Sequence, residues 1–366
     1  MIVVGGGPAG LAAATALRRH GVGEVIVYER EQHAGGVPRH TDHLGYGLRD
    51  LHRIMSGPAY ARRIAAMAAE AGVLVHTGRP VFDLDTLDAD AIVLATGVRE
   101  RPRSARLVPG DRPAGVFTTG TVQQLTALHG RPVGTRAVIV GAEHVSFSAI
   151  LSLRHGGCRT IAMITPHSQH QTYAPLRLAT ATRLRVPIRR GVDVAQIIGR
   201  SRVEAVVLTD GTRIDCDTVV FTGDWVPDHE LARRAGVPLN VARSPIVDLA
   251  WRTRRAGVFA AGNLVHPAET ADVCALGGRH VAAAVVAFLD GEPWPPTVVG
   301  LRCESPVLWA TPAGGGITLR TSVSTRARVV ARNVDGTVIH RSRRRAMRPN
   351  RAIHIPMGAA TSINLA

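Results

Sequence analysis

The chain has 366 residues, 45% hydrophobic and 20% charged, long enough for two domains and a small third and balanced like a folded globular protein rather than a disordered one. All 44 basic residues are arginine, set against 28 acids for a formal net charge of +16. With no lysine at all, Schiff-base chemistry and a P-loop NTPase are excluded.

An arginine excess beside abundant alanine and glycine reads as the codon bias of a GC-rich genome; the alternative is an arginine-lined surface for an acidic partner or nucleic acid. Cys158, Cys216, Cys274 and Cys303 lie far apart, and no C-x-x-C or close His/Cys group supports a metal or iron–sulfur site. The first strand candidate begins at Ile2, leaving no room for a signal or transit peptide. No uninterrupted apolar run reaches the roughly 18 residues of a membrane span. These features predict a cytoplasmic protein without membrane insertion.

The run "IVV" (2–4) has the all-apolar pattern of a strand central to a parallel sheet. Gly5-Gly6-Gly7-Pro8-Ala9-Gly10 follows, a full G-x-G-x-x-G, and then the helix "LAAATALRRH". Gly5 permits the tight turn, Gly7 lets backbone approach a pyrophosphate, and Gly10 lets helix and strand pack closely. The helix N-terminus offers N–H donors and partial positive charge to that pyrophosphate. Arg18, Arg19 and His20 occupy its last turn, before Gly21. The next strand, "EVIVYE", ends at Glu29, the usual place for an acid that accepts from ribose hydroxyls. Strand, glycines, helix, strand and terminal Glu in this order predict dinucleotide binding.

"HTGRPVFDL", which contains Val81, and "DADAIVLATGVRERP" read as strands closing the same sheet, the second ending in Ala95-Thr96-Gly97. "GVFAAGNLVHPAETADVCALGGRHVAAAVVAFL" reads as a strand, a turn and a long helix. Over residues 1–290 this layout resembles the two-dinucleotide-domain flavoproteins that include the pyridine nucleotide–disulfide reductases. The resemblance implies an FAD site. Gly5, Gly7, Pro8, Ala9, Gly10, Glu29, Arg30, Gly36, Val81, Ala95, Thr96 and Gly97 would bind the cofactor. Gly262, Asn263, Thr270 and Ala271 would complete the site, with the late helix directing its N-terminus at the flavin's pyrimidine edge. Gly262-Asn263 stands where the family carries Gly-Asp; asparagine keeps a hydrogen bond to a hydroxyl but adds no charge.

In the disulfide reductases the paired glycines lead into redox cysteines. Here Gly35-Gly36 lead into "VPRHTDHLGYGL" with no cysteine, which excludes a flavin-to-disulfide relay. Arg39, His40, Asp42 and His43 fall there instead. Arg39 and His40 are weak catalytic candidates, set against an ordinary polar surface loop.

A second strand–turn–helix, "AVIVGAEHVSFSAIL" (137–151), puts Gly141 at the first fingerprint glycine but Glu143 and Ser146 at the second and third. A carboxylate within about 4 Å of a phosphate charge, at an effective dielectric of about 20, is repelled by roughly 4 kcal/mol, about a thousandfold in affinity. The following strand ends at Thr165-Pro166-His167, without the acid or arginines that read a nicotinamide dinucleotide's ribose. The sequence therefore predicts that NAD(P) is not used.

"ATGVRERP", "VPGDRPAGVFTTGTVQQL" and "PRHTDHLGYGL" resemble one branch of the superfamily, the α-type subunits of opine oxidase, hydrogen cyanide synthase, dye-linked proline dehydrogenase and heterotetrameric sarcosine oxidase. That resemblance implies an FAD-dependent electron-transfer subunit of a multi-subunit amine or amino-acid dehydrogenase or oxidase. Its partners would be an amine-oxidising flavoprotein subunit and a small ferredoxin-like subunit. The alternative is a stand-alone NAD(P)H-dependent ferredoxin or quinone reductase.

After the proline-rich "LDGEPWPPTVVG", residues 300–366 read as a small basic β module with a hairpin at Asp335-Gly336. Its arginines suit either a solvated edge strand or an acidic partner, and without interleaved aromatics they do not read as a nucleic-acid site. The expected architecture is α/β: two Rossmann-like domains, the first from 1–105 and 245–295, the second inserted as 106–244, plus the β module.

Overall fold

The computed structural model describes residues 1–298, 300–313, 316–349, 351–356 and 360–366. The chain separates into two compact units. Met1–Arg39, Leu44–Val98 and Val226–Ala366 form the first; His40–His43 and Arg99–Trp225 form the second. The junctions thus lie at 98/99 and 225/226 rather than at 105/106 and 244/245. Leu231, Ala232 and Val237 account for one displacement, since they bury against Ile2, Val4 and Leu94 of the first sheet. Glu100 and Arg106 account for the other, since they hydrogen-bond to Gly120, Thr222 and Gly223.

In the first unit five parallel strands run in the order Val258–Ala260, Ile92–Leu94, Ile2–Val4, Ile26–Tyr28, Leu74–His76. The chain's first strand is central and fully buried, which explains its unbroken apolar run. The second unit repeats the plan: Val116–Thr118, Thr218–Phe221, Arg136–Val140, Arg159–Thr165, Ile188–Arg190, again all parallel. A three-stranded antiparallel sheet of Val194–Ile198, Ala205–Leu208 and Arg213–Asp215 packs its apolar face under this second sheet.

Among the described residues four helices have twelve or more residues: α1 (Pro8–Arg19), α2 (Gly57–Glu70), α3 (His144–His155) and α4 (Ala271–Leu289). Helix α1 starts with proline and ends with two arginines, each suited to its end of the helix. It buries Leu11, Ala13 and Leu17 with Val281, Ala282 and Val285 of α4. α4 is the one described helix long and apolar enough to cross a membrane on length and composition alone, although Asp272, Arg279 and His280 interrupt it. The α1–α4 approach depends on Gly278, where an added Cβ would lie 2.0 Å from the Ala9 carbonyl oxygen.

The C-terminal segment is a β module with its own core of Val329, Ile317, Leu319 and Ile363. Its hairpin joins Val329–Arg332 to Val338–Arg341. Gly336, at φ +85°, supplies the left-handed position of a three-residue turn closed by Asn333 and Thr337.

Gly278→Val is expected to lower stability by about 1–3 kcal/mol or more, through forced separation of α1 and α4. Gly23→Ala, where a Cβ meets nothing within 4 Å, should leave stability unchanged. Urea unfolding of the two variants side by side checks this.

Candidate functional site

The glycine-rich turn of the first unit is built by contact, residue by residue. Gly5 has φ +108°, and a Cβ there would sit 2.4 Å from the Ala95 carbonyl oxygen. At Gly10 it would sit 1.9 Å from the carbonyl of Gly5. Gly7 differs: a Cβ there would meet nothing nearer than the Gly36 Cα at 3.9 Å. Its space is open, directly over the first turn of α1, which has no side-chain cap and no acid. These unmet donors and their partial positive charge fit a pyrophosphate. Gly36, at φ +62°, brings its backbone against Gly7 and walls the cradle.

Glu29 is buried beside this turn. Its Oε2 accepts the Gly6 N–H at 2.8 Å and its Oε1 the Glu31 N–H at 2.8 Å. The carboxylate first holds the loop together and keeps further lone pairs for ribose hydroxyls. Gly6, unspecified by the fingerprint, is constrained too, since a Cβ would lie 3.0 Å from that Oε2. Arg30, expected at the cofactor, points its exposed guanidinium to Asp228 at 2.9 Å. Thr96 Oγ1 donates to the Asp228 carbonyl, and the Asp228 N–H donates to the Gly97 carbonyl. Asp228 therefore ties Arg30 to the Ala95-Thr96-Gly97 turn. No motif marks it, so its role was invisible in the sequence. Val81 packs on the apolar cluster beneath the sheet.

At the late motif Gly262 has φ +69° and abuts Ala9. The Asn263 amide makes a reciprocal pair with the backbone of Glu269: its Oδ1 accepts the Glu269 N–H at 2.9 Å and its Nδ2 donates to the Glu269 carbonyl at 3.0 Å. Thr270 is the N-cap of α4 and Ala271 its first residue. Thr270 Oγ1 donates to Asp272, a buried acid that also accepts from Val273 N–H and Arg49 N–H.

The two catalytic candidates fall in different units. Arg39, in the first unit, pairs with Glu31 and donates to the His33 carbonyl at 2.7 Å. His40 is buried in the second unit, in a segment where Thr41 meets Gln123 and His43 Nε2 lies 2.6 Å from Ser148 Oγ. Asp42 faces His155 at 3.8 Å.

The corresponding turn of the second unit is filled from within. Glu143 is the N-cap of α3 and forms a capping box with Ser146: the Glu143 carboxylate accepts the Ser146 N–H, and Ser146 Oγ accepts the Glu143 N–H at 3.1 Å. Glu143 Oε2 also accepts the Ala142 N–H at 3.0 Å, and Oε1 accepts the Thr222 hydroxyl at 2.6 Å. The carboxylate is buried and occupies the helix end that is bare in the first unit. Beneath it Glu100 accepts from Gly120 N–H at 2.8 Å and Gly223 N–H at 3.1 Å. Burial, with a lesser contribution from the Glu143 charge, pushes Glu100 up to about 7. Arg106 closes the cluster, donating to the Thr222 and Gly223 carbonyls.

The family model of the pyridine nucleotide-disulphide oxidoreductases matches residues 1–289. The chain belongs to that family. It is an FAD-dependent oxidoreductase with an electron-transfer role, and the open cradle of the first unit fits the cofactor. It is 28% identical over 340 residues to the ferredoxin reductase component of a chlorobenzene dioxygenase from Cupriavidus sp. (strain PS12), covering 85% of this chain and 78% of that protein. It is 30% identical over 290 residues to the ferredoxin–NAD(+) reductase component of a biphenyl dioxygenase system from Paraburkholderia xenovorans (strain LB400), covering 72% and 66%. A component of the opine oxidase of Agrobacterium tumefaciens (strain Ach5) is 26% identical over 340 residues, covering 79% and 65%. The fold is that of thioredoxin reductase from T. acidophilum, with a TM-score of 0.67 at 20% identity over 79% of this chain and 98% of that one. The NAD(+) in one relative's name runs against the expectation that a nicotinamide is not used. All four cysteines are free, and burial pushes Cys158 and Cys216 up to about 11, far from a reactive thiolate.

Gly7→Asp would cap α1 as Glu143 caps α3. Folding stability should hold, because the site has room, while FAD affinity falls by about a thousandfold from roughly 4 kcal/mol of charge repulsion. Reconstitution of the variant with FAD, followed by fluorescence quenching, reads this directly.

Glu100 sets a pH dependence. Its folded value, near 7, exceeds the ordinary 4.5, so the folded state binds the extra proton between them. Its stabilising contribution is complete below about 4.5 and is lost as pH rises through 7, amounting to about 3 kcal/mol. Glu100→Gln should flatten that slope in denaturation curves recorded from pH 5 to 8.

Proposed function

We propose that this chain is the FAD-binding electron-transfer subunit of a multi-subunit amine or amino-acid dehydrogenase or oxidase. The observation that carries this reading is the buried Glu143 carboxylate at the N-terminus of α3, where a nicotinamide dinucleotide would need to set its pyrophosphate. Electrons then reach the first unit from a partner. The likeness to the opine oxidase component supports the same branch.

FAD supplies two-electron acceptance and stepwise release when bound. The chain's own residues hold it: α1 and Gly7 receive the pyrophosphate, Glu29 the ribose, and the Gly262–Thr270 turn orients the N-terminus of α4. A flavoprotein subunit that oxidises the amine and a small ferredoxin-like subunit are the partners this reading requires, in the cytoplasm. No nucleic acid and no bound metal enters it.

A second reading, a self-contained NAD(P)H-dependent ferredoxin reductase, draws on the relatives named as ferredoxin reductase components. An anaerobic absorbance spectrum of the purified chain separates the two. Under the first reading the flavin bands persist on addition of NADH or NADPH and bleach with dithionite. Prompt bleaching by either nucleotide overturns it and establishes the second.

A further inference from the structure

The C-terminal module has no part in the cradle, yet one of its side chains reaches the turn that leads into α4. Arg320, on the strand Gly316–Thr321, is 4% exposed and lies 5.7 Å from the centroid of the Trp309 ring. Its Nη2 donates to the Ala268 carbonyl at 2.7 Å and to Glu269 Oε1 at 2.8 Å. Both side chains of this ion pair are 5% exposed. Arg320 Nε and Nη1 are buried and have no hydrogen-bond partner among the described residues.

Such a pair is an expensive way to hold two surfaces together. Removing both charges from water is costly, and well-packed apolar residues would serve cohesion at least as well. What an apolar pair cannot do is fix the direction of a particular carbonyl and a particular carboxylate. Both of those groups lie in a turn that needs outside support. Ala268 has φ +76°, a left-handed conformation costly for a residue with a Cβ. The next residue, Glu269, is the one whose backbone pairs with the Asn263 amide. The turn is thus gripped from inside by Asn263 and from outside by Arg320, immediately before the N-cap Thr270.

This arrangement also explains the asparagine. Nδ2 must donate to the Glu269 carbonyl, and an aspartate has no hydrogen to give. A carboxylate there would confront that carbonyl oxygen and release the turn from inside.

We propose that Arg320 is a positioning residue for the flavin: acting through Glu269 and Asn263, the C-terminal module fixes the turn that aims the N-terminus of α4, and so sets both the affinity for FAD and its oxidised-to-reduced preference. The proposal requires FAD in the first unit and is indifferent to where the electrons originate.

The test uses the full chain, with Arg320→Met, Arg320→Lys and Asn263→Asp compared by FAD affinity, by flavin midpoint potential, and by unfolding of the flavin-free protein. Arg320→Met should still unfold in one transition, at lower stability because the Glu269 carboxylate is left buried without its partner. It should lose at least tenfold in FAD affinity, and change the ratio of affinities for oxidised and reduced flavin by about tenfold, a shift of about 30 mV for two electrons. Arg320→Lys should recover part of both. Asn263→Asp, although it restores the residue of the family's Gly-Asp, should weaken binding rather than strengthen it. Wild-type affinity and potential in a folded Arg320→Met overturn the proposal. If that variant does not fold, wild-type affinity together with wild-type potential in Asn263→Asp overturns it equally, and a shift in both upholds it.

Discussion

An α-helix begins with backbone N–H groups that nothing inside the helix satisfies, and this chain sets such an end at the carboxyl edge of a central parallel strand in each of its two units. Those donors, with the partial positive charge of the helix end, must meet something negative or wet. In the first unit no side chain among the described residues caps them: Gly7 presents bare backbone beneath open space. In the second, the Glu143 carboxylate takes one of them, the Ser146 N–H, and is itself held by the Ala142 N–H and the Thr222 hydroxyl. The same demand is left open in one unit and answered by a side chain in the other.

The rest of the first unit follows from keeping that end bare. An uncapped helix start is stable only if its turn is fixed by other means, and here packing fixes it. Gly5 presses on Ala95, Gly10 on Gly5, Gly36 on Gly7 and Gly262 on Ala9, at separations where no side chain fits. Glu29 supplies the one strong polar tether, through Gly6. In the second unit the equivalent places tolerate Glu and Ser because their side chains replace those contacts with hydrogen bonds, Thr222 among the partners, and Gly223 leaves room for the carboxylate.

Much of this was legible in the sequence, because glycine spacing and apolar runs report local sterics. The two strand–turn–helix units, the fingerprint glycines, the acid ending the second strand and the late α4 could all be read from residue order alone. What could not be read are contacts whose partners are distant in sequence and carry no pattern. Asp228, nearly two hundred residues from Arg30, sits in no motif. The sequence marked Asn263 as a departure that keeps a hydrogen bond to the cofactor but adds no charge. In the structure its amide is committed to Glu269, a relation that depends on a turn conformation no propensity predicts. The unit junctions moved for a related reason: Leu231 and Val237 follow the second sheet in sequence but bury against the first.

The distribution of charge shows the same logic. Arginine serves wherever this chain needs a cation, and most of its arginines lie at the surface, where screening leaves each worth little. Arg106 and Arg320 are different. Arg320 is buried and Arg106 largely so, and each commits donors to backbone carbonyls as well as facing an acid. A lysine ammonium, a compact point charge, could approach the same acids but could not divide a rigid fork of donors between neighbouring carbonyls. These two arginines therefore act less as charges than as templates for loop shape, one at the filled turn of the second unit and one at the turn before α4. In both places the surrounding backbone includes a residue in left-handed conformation, Asp224 beside Arg106's partners and Ala268 under Arg320. A planar donor fork is suited to hold a chain in such a bend.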